Sequence, residues 1–138
     1  MISISAGAQE RFVSDPTSGL ALSGYDPVAY FVDRRARPGK TAHELTWMGV
    51  SWRFVNKGNM YAFKDTPKVY APQYGGHGAF MAAQGYTTGG NPEVWTIYRQ
   101  KLYVFYSPAN RFSWFADPYL FTRKADELFI PAPEGVGN

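Results

Sequence analysis

Apolar and polar residues alternate with a period of two along Glu44–Met48 and again along Ser51–Val55. Both runs are rich in aromatic or β-branched residues, so both predict strands. Leu45 and Trp47 share one face of the first; Trp52 and Phe54 share one face of the second. Gly49-Val50 between them suits a type II′ turn, which makes the pair a hairpin. Asn56 then caps a predicted helix running to about Lys64, with Met60 and Phe63 on one side, and Pro67 starts a further turn that ends at Tyr70. Val94–Tyr98 and Leu102–Tyr106 predict a second hairpin across Arg99-Gln100-Lys101. From Pro108 to about Leu128 the pattern is helical, interrupted at Asp117-Pro118.

The stretches around the hairpins carry weaker signals. Residues 1–19 are small and polar, with turn signals at Asp15-Pro16 and Ser18-Gly19, and read as a flexible N-terminal arm. Asp26 followed by Pro27 predicts the cap and first residue of a short helix. The run Gly75–Gln84 reads as turning helical, with Gly85 as its stop. The end, 129–138, has the composition of a disordered tail. Two hairpins and several short helices predict an α+β domain over 20–128, a small antiparallel sheet with helices packed against it. No internal repeat stands out, since the two hairpins differ in sequence.

Composition narrows the chemistry. A chain of 138 residues fits one domain. There is no cysteine, which excludes disulfides, thiolate metal sites and thiol nucleophiles. The formal net charge is +3, and four of the cations fall between Arg34 and Lys40. That run reads as a solvated loop, or else as a docking patch for a protein partner. It is too short and local to suggest nucleic acid. No stretch approaches a membrane span, and Met1–Ala8 lacks the cationic start of a complete signal peptide. No catalytic set is apparent. The two histidines, His43 and His77, sit in no nucleophile elbow or metalloprotease spacing, and Asp126 and Glu127 are adjacent on a helix and diverge. The reading is therefore non-enzymatic.

The segments Gly24-Tyr25-Asp26-Pro27-Val28-Ala29-Tyr30-Phe31, Trp52-Arg53-Phe54, Tyr70-Ala71-Pro72-Gln73-Tyr74-Gly75-Gly76 and Gln84-Gly85-Tyr86, with the strands around Trp95 and Leu102-Tyr103, resemble the YHS-domain family in its small stand-alone form. The likeness runs from about Leu20 to Leu128. It implies a metal-binding or ligand-binding domain, periplasmic or secreted, in which many relatives carry Tyr-Cys after the paired glycines. This chain has His77-Gly78 there, so the resemblance implies no thiolate ligand.

The residues around that departure are the candidate site. Three glycines within Gly75–Gly78 let backbone bend sharply or approach a ligand closely. Tyr74, Gly75, Gly76 and His77, with Tyr25 and Asp26 from the earlier motif, are the expected ligand-binding residues. His77 and Met81 are four apart on the expected helix, which would bring imidazole and thioether to one face. Such a pair suits copper or another transition-metal ion. The same glycines also serve if they merely let a helix pack tightly. The function expected from the sequence is binding of a small ligand or a weakly held metal ion near Gly75-Gly76-His77. The alternative is a protein–protein interaction module using the Arg34–Lys40 loop.

Overall fold

The computed structural model describes residues 12–129. Residues 1–11 of the expected arm and 130–138 of the expected 129–138 tail lie outside the described residues. The first hairpin pairs β1 (Lys40–Trp47) with β2 (Val50–Phe54), and α2 (Lys57–Asp65) and α3 (Pro67–Tyr70) follow it. The second pairs β3 (Asn91–Tyr98) with β4 (Lys101–Phe105), followed by α5 (Pro108–Trp114) and α6 (Pro118–Leu128). Short helices precede each hairpin, α1 (Ala29–Val32) and α4 (Ala79–Ala83). The α+β class and both antiparallel hairpins are as expected. The hairpins do not join edge to edge, however; each is its own two-stranded sheet.

The first turn sits one residue earlier than the sequence pattern suggested, and the second is one residue shorter. Trp47 pairs with Val50 and Tyr98 with Lys101, leaving two-residue loops, Met48-Gly49 and Arg99-Gln100. All four loop residues have positive φ, between 51° and 79°. That is type I′ geometry, whose twist matches the flanking strands. Gly49 therefore takes the second central position rather than the first of a type II′ turn, and Lys101 belongs to β4.

The hairpins expose a repeat that the sequence concealed. Adding 51 to the residues of the first gives the second: Lys40–Phe54 becomes Asn91–Phe105, Glu44–Arg53 becomes Trp95–Val104, and Trp47–Val50 becomes Tyr98–Lys101. The same bulge follows the first pair in each. Asn56 caps α2 by accepting from Asn59 N–H, and Ser107 caps α5 by accepting from Asn110 N–H. Pro67 opens α3 and Pro118 opens α6. Ahead of the hairpins, Leu22–Gly24 and Gln73–Gly76 form matching 3-10 turns; Leu22, Ser23 and Gly24 have φ of 54°, 51° and 86°, against 57°, 64° and 86° at Tyr74, Gly75 and Gly76. Asp26 N–H then donates to Arg37 O, and Gly78 N–H to Thr88 O. The chain is a tandem of two like units.

Aromatic rings hold each unit together. Phe63 on α2 lies 4.8 Å from Trp52, 5.3 Å from Phe54 and 5.5 Å from Trp47, the last edge-on at 88°. Its counterpart Trp114 on α5 lies 5.3 Å from both Tyr103 and Phe105 and 5.4 Å from Tyr98, again at 88°. The units meet through Tyr30, whose ring stands 5.1 Å from Trp95 and whose hydroxyl donates to Pro92 O at 2.7 Å. The expected arm is anchored from Phe12 onward. Phe12 packs 5.4 Å from Trp47 and 5.2 Å from Trp52, and Val13 N–H donates to Gly75 O.

Two glycines at the entrance to the hairpins are fixed by space. A Cβ at Gly39 would fall 2.5 Å from the Arg53 carbonyl carbon, and one at Gly90 2.4 Å from Gly76 O. Neither backbone neighbour can yield without moving β2 or the Gln73–Gly76 turn. Gly39→Ala and Gly90→Ala are each expected to cost about 2 kcal/mol or more. At Gly49 nothing lies within 4 Å, so Gly49→Ala meets only its positive φ of 79°. That substitution is expected to cost about 1 kcal/mol. Urea midpoints of the three variants check the order.

Candidate functional site

The Gln73–Gly76 turn sets the site. Three successive residues with positive φ reverse the chain in the space of one turn, and glycine at two of them keeps the strain low. The reversal carries the Tyr74 ring toward α6, where it packs 6.0 Å from Tyr103 and 5.6 Å from Phe129. The Tyr74 hydroxyl donates to Asp126 Oδ1 at 2.9 Å. Burial, then the Asp126 carboxylate, push the phenol well above its usual range, so it stays a donor.

Beside this contact opens a cleft of about 420 Å³, walled by Phe12, Gln73, Tyr74 and Phe129, with Lys68 and Asp126 among the lining residues. It lies at the seam of the two units, since Lys68 belongs to α3 and Asp126 to α6. Aromatic walls with one cation and one anion suit a small molecule with a flat body and a charged head. A smaller cavity of about 170 Å³ shares Phe12, Pro72 and Gly75 with it and is also lined by Gly76, Gly90 and Trp52.

The expected site residues separate into groups. Tyr74 and Gly75 line the cleft, while Gly76 reaches only the smaller cavity. His77 lines neither. It is half-buried against Phe129, ring centres 5.5 Å apart, and its Nδ1–H donates to Thr88 O at 3.0 Å, which leaves Nε2 as the acceptor. Burial lowers the imidazole pKa; the Thr88 carbonyl opposes this less strongly.

Asp26 is 0% exposed and fully engaged. Its Oδ1 accepts from Val28 N–H and Ala29 N–H at 2.7 and 3.2 Å. Its Oδ2 accepts from Val55 N–H and Asn59 Nδ2 at 2.8 Å each. α1 starts at Ala29, two residues later than expected from Asp26-Pro27, because Asp26 instead holds the turn leading into it and ties that turn to β2, with no face toward a ligand. Tyr25 donates its hydroxyl to Glu93, a contact between the units, and does not line the cleft.

The metal pairing loses its geometric basis. His77 is extended, with ψ of 158°, and α4 begins only at Ala79 after Gly78. His77 and Met81 are therefore not successive turns of one helix. Among the described residues, no three His, Cys, Asp or Glu side chains converge on a point. Gly78 itself is a packing glycine, because a Cβ there would meet Thr88 Oγ1 at 2.8 Å and Tyr106 N at 3.1 Å. In the basic loop Arg37 is paired to Asp33 at 2.6 Å, leaving Arg34, Arg35 and Lys40 exposed.

No known family, characterised protein or solved structure matches the chain. Among the described residues no helix is long and apolar enough to cross a membrane. The site therefore stands on geometry, and geometry brings in residues that the sequence pattern did not mark. Lys68 and Phe12 carried no motif. Asp126 was read only as a neighbour of Glu127, and Phe129 as the start of a tail.

A buried neutral imidazole makes stability depend on pH. His77 has a native pKa below its ordinary value of 6.5. The unfolded chain then binds more protons as pH falls through that value, so the native state loses stability there. His77 contributes fully above about pH 6.5 and progressively less as the pH drops toward the lowered native value. Urea midpoints measured from pH 8 to pH 5 should fall over this window, and His77→Phe should flatten the fall.

Proposed function

We propose that the chain is a non-enzymatic binding domain of YHS type, acting outside the cytoplasm, whose ligand is a small molecule held in the Tyr74 cleft. The YHS resemblance supports the class and the placement. The cleft supports the ligand: its volume of about 420 Å³ falls within the range of small-molecule sites. The single observation that carries the reading is the juxtaposition of Lys68, Asp126 and the Tyr74 hydroxyl at a mouth walled by Phe12 and Phe129. The favoured ligand has a flat apolar body and an anionic group for the Lys68 ammonium. Asp126, already accepting from Tyr74, holds that ring in place and selects against a second negative charge. A weakly held metal ion at His77, without Met81, is the weaker proposal, supported by the imidazole whose Nδ1–H bond aims one lone pair.

Thermal-shift titration with a panel of small aromatic carboxylates tests the reading. Binders are expected, and Lys68→Ala should weaken the best of them about tenfold, the worth of one charge-assisted contact. Lys68→Arg should retain most of the affinity and His77→Ala all of it. Loss of binding in His77→Ala with none in Lys68→Ala would move the site to the imidazole; an absence of any binder would remove the cleft as a ligand site.

A further inference from the structure

The Tyr74 cleft holds two charges of opposite sign that the chain does not pair. Lys68 on α3 and Asp126 on α6 both line it. Among the described residues the ion pairs are Arg37 with Asp33 and Arg53 with Glu44, and neither Lys68 nor Asp126 takes part. Asp126 is held in place by one oxygen. Its Oδ1 accepts the Tyr74 hydroxyl at 2.9 Å, while its Oδ2 takes no donor among the described residues. Two phenols stand in the field of this carboxylate. Tyr103 is pushed up to about 12, first by burial and then by Asp126, and Tyr74 is raised by the same causes. Both rings therefore stay neutral, and neither cancels the charge.

The rest of the lining carries no charge: Phe12, Tyr74 and Phe129 supply rings, and Gln73 a neutral amide. Neither charge belongs to the frame that the two units share. The repeat turns Lys68 into Tyr119, and Asp126 lies on the part of α6 that the first unit lacks. Both charges thus meet only at the seam. A ligand with a single charge pairs with one of them and strips water from the other without replacing it. An aromatic carboxylate serves Lys68 but brings its anion into the field of Asp126; an aromatic amine does the reverse. A molecule with both groups meets each charge with its opposite and keeps like charges apart. A cleft of about 420 Å³ is near the small end of small-molecule sites, which suits a single ring system.

We infer that the ligand of the cleft is a zwitterion, a small aromatic molecule with one carboxylate for the Lys68 ammonium and one ammonium for Asp126 Oδ2. Amino acids with aromatic side chains belong to this class. The inference rests on the Tyr74 cleft being the ligand site and adds the second charge: Asp126 binds a cation as well as holding Tyr74.

Titration calorimetry of the full chain tests it with four probes. Phenylalanine and para-aminomethylbenzoate are zwitterions that differ in the spacing of their charges; phenylpropionate and phenylethylamine keep one charge each. At least one zwitterion should bind about tenfold more tightly than either one-charge compound. Asp126→Asn keeps an oxygen for the Tyr74 hydroxyl and removes the charge. It should lower that zwitterion's affinity to the level of phenylpropionate and leave phenylpropionate bound at least as well as by the wild type. Lys68→Ala should leave the zwitterion no tighter than phenylethylamine. The comparison of the four probes needs no variant, so it decides even should Asp126→Asn fail to fold. A one-charge compound that binds as tightly as both zwitterions, or an undiminished zwitterion affinity in Asp126→Asn, overturns the inference; with phenylpropionate in that role the cleft itself still stands as a ligand site. Binding of none of the four removes the cleft and the inference together.

Discussion

Each hairpin has to be covered, and one large ring from the following helix covers it. Two strands alone are marginal in water, because one face of the hairpin has nothing to bury against. Phe63 and Trp114 supply that partner, each touching three aromatic residues of its own hairpin, two from the second strand and one from the end of the first. Burying a side chain of this size contributes about 1.5–3 kcal/mol, more than any surface ion pair in the molecule. The cap residues follow from the same need. Asn56 and Ser107 start their helices at the point from which the ring, two turns later, falls on the hairpin.

The elements were legible in the sequence because they rest on local chemistry: strand alternation, helix caps, and prolines at the starts of α3, α5 and α6. The turn residues were misplaced by one because a type I′ turn asks for positive φ at both centres, and Met48, Arg99 and Gln100 give no hint of it. The repeat was hidden for a different reason. Equivalent positions keep a physical class and change identity: Trp47 and Tyr98, Trp52 and Tyr103, Phe63 and Trp114 all fill the same space with another ring. Only a few positions, such as Phe54 with Phe105 and Asn59 with Asn110, stay the same. The candidate site was half legible. Tyr74 and Gly75 belonged to a recognisable bend, but Lys68 and Asp126 meet there only because the two units are docked, which no local pattern encodes.

Duplication also separates structural residues from those free to serve something else. Among the described residues no buried side-chain polar atom of the first unit lacks a partner, and Asp26 takes four donors in its interior. The second leaves Thr88, Asn110 and Trp114 with unpartnered buried atoms. It also turns an apolar face outward. Phe112 is 81% exposed, with Phe115 and Tyr119 nearby in sequence, where the first unit has Tyr61, Lys64 and Lys68. Departures from local consistency cluster where a protein does something besides fold. Here they fall in one unit of two, and the other shows what the consistent arrangement looks like.

The cleft arises where the units differ in length. In the first, α3 ends at Tyr70 and the chain leaves at once to begin the second unit. In the second, α6 does not stop at the matching Phe121 but runs on to Leu128. The additional turns bury Thr122 and Ala125 against α4, where Ala82 and Ala83 leave room for a close helix crossing. That close approach brings Asp126 and Phe129 up to Tyr74. Small residues at the crossing thus determine how far the Tyr74 hydroxyl stands from its carboxylate. A larger side chain at Ala82 or Ala125 would push α6 outward and open the cleft, because Tyr74 and Phe129, which line it, pack on the same alanine cluster, so the shape of the cleft is set by that crossing.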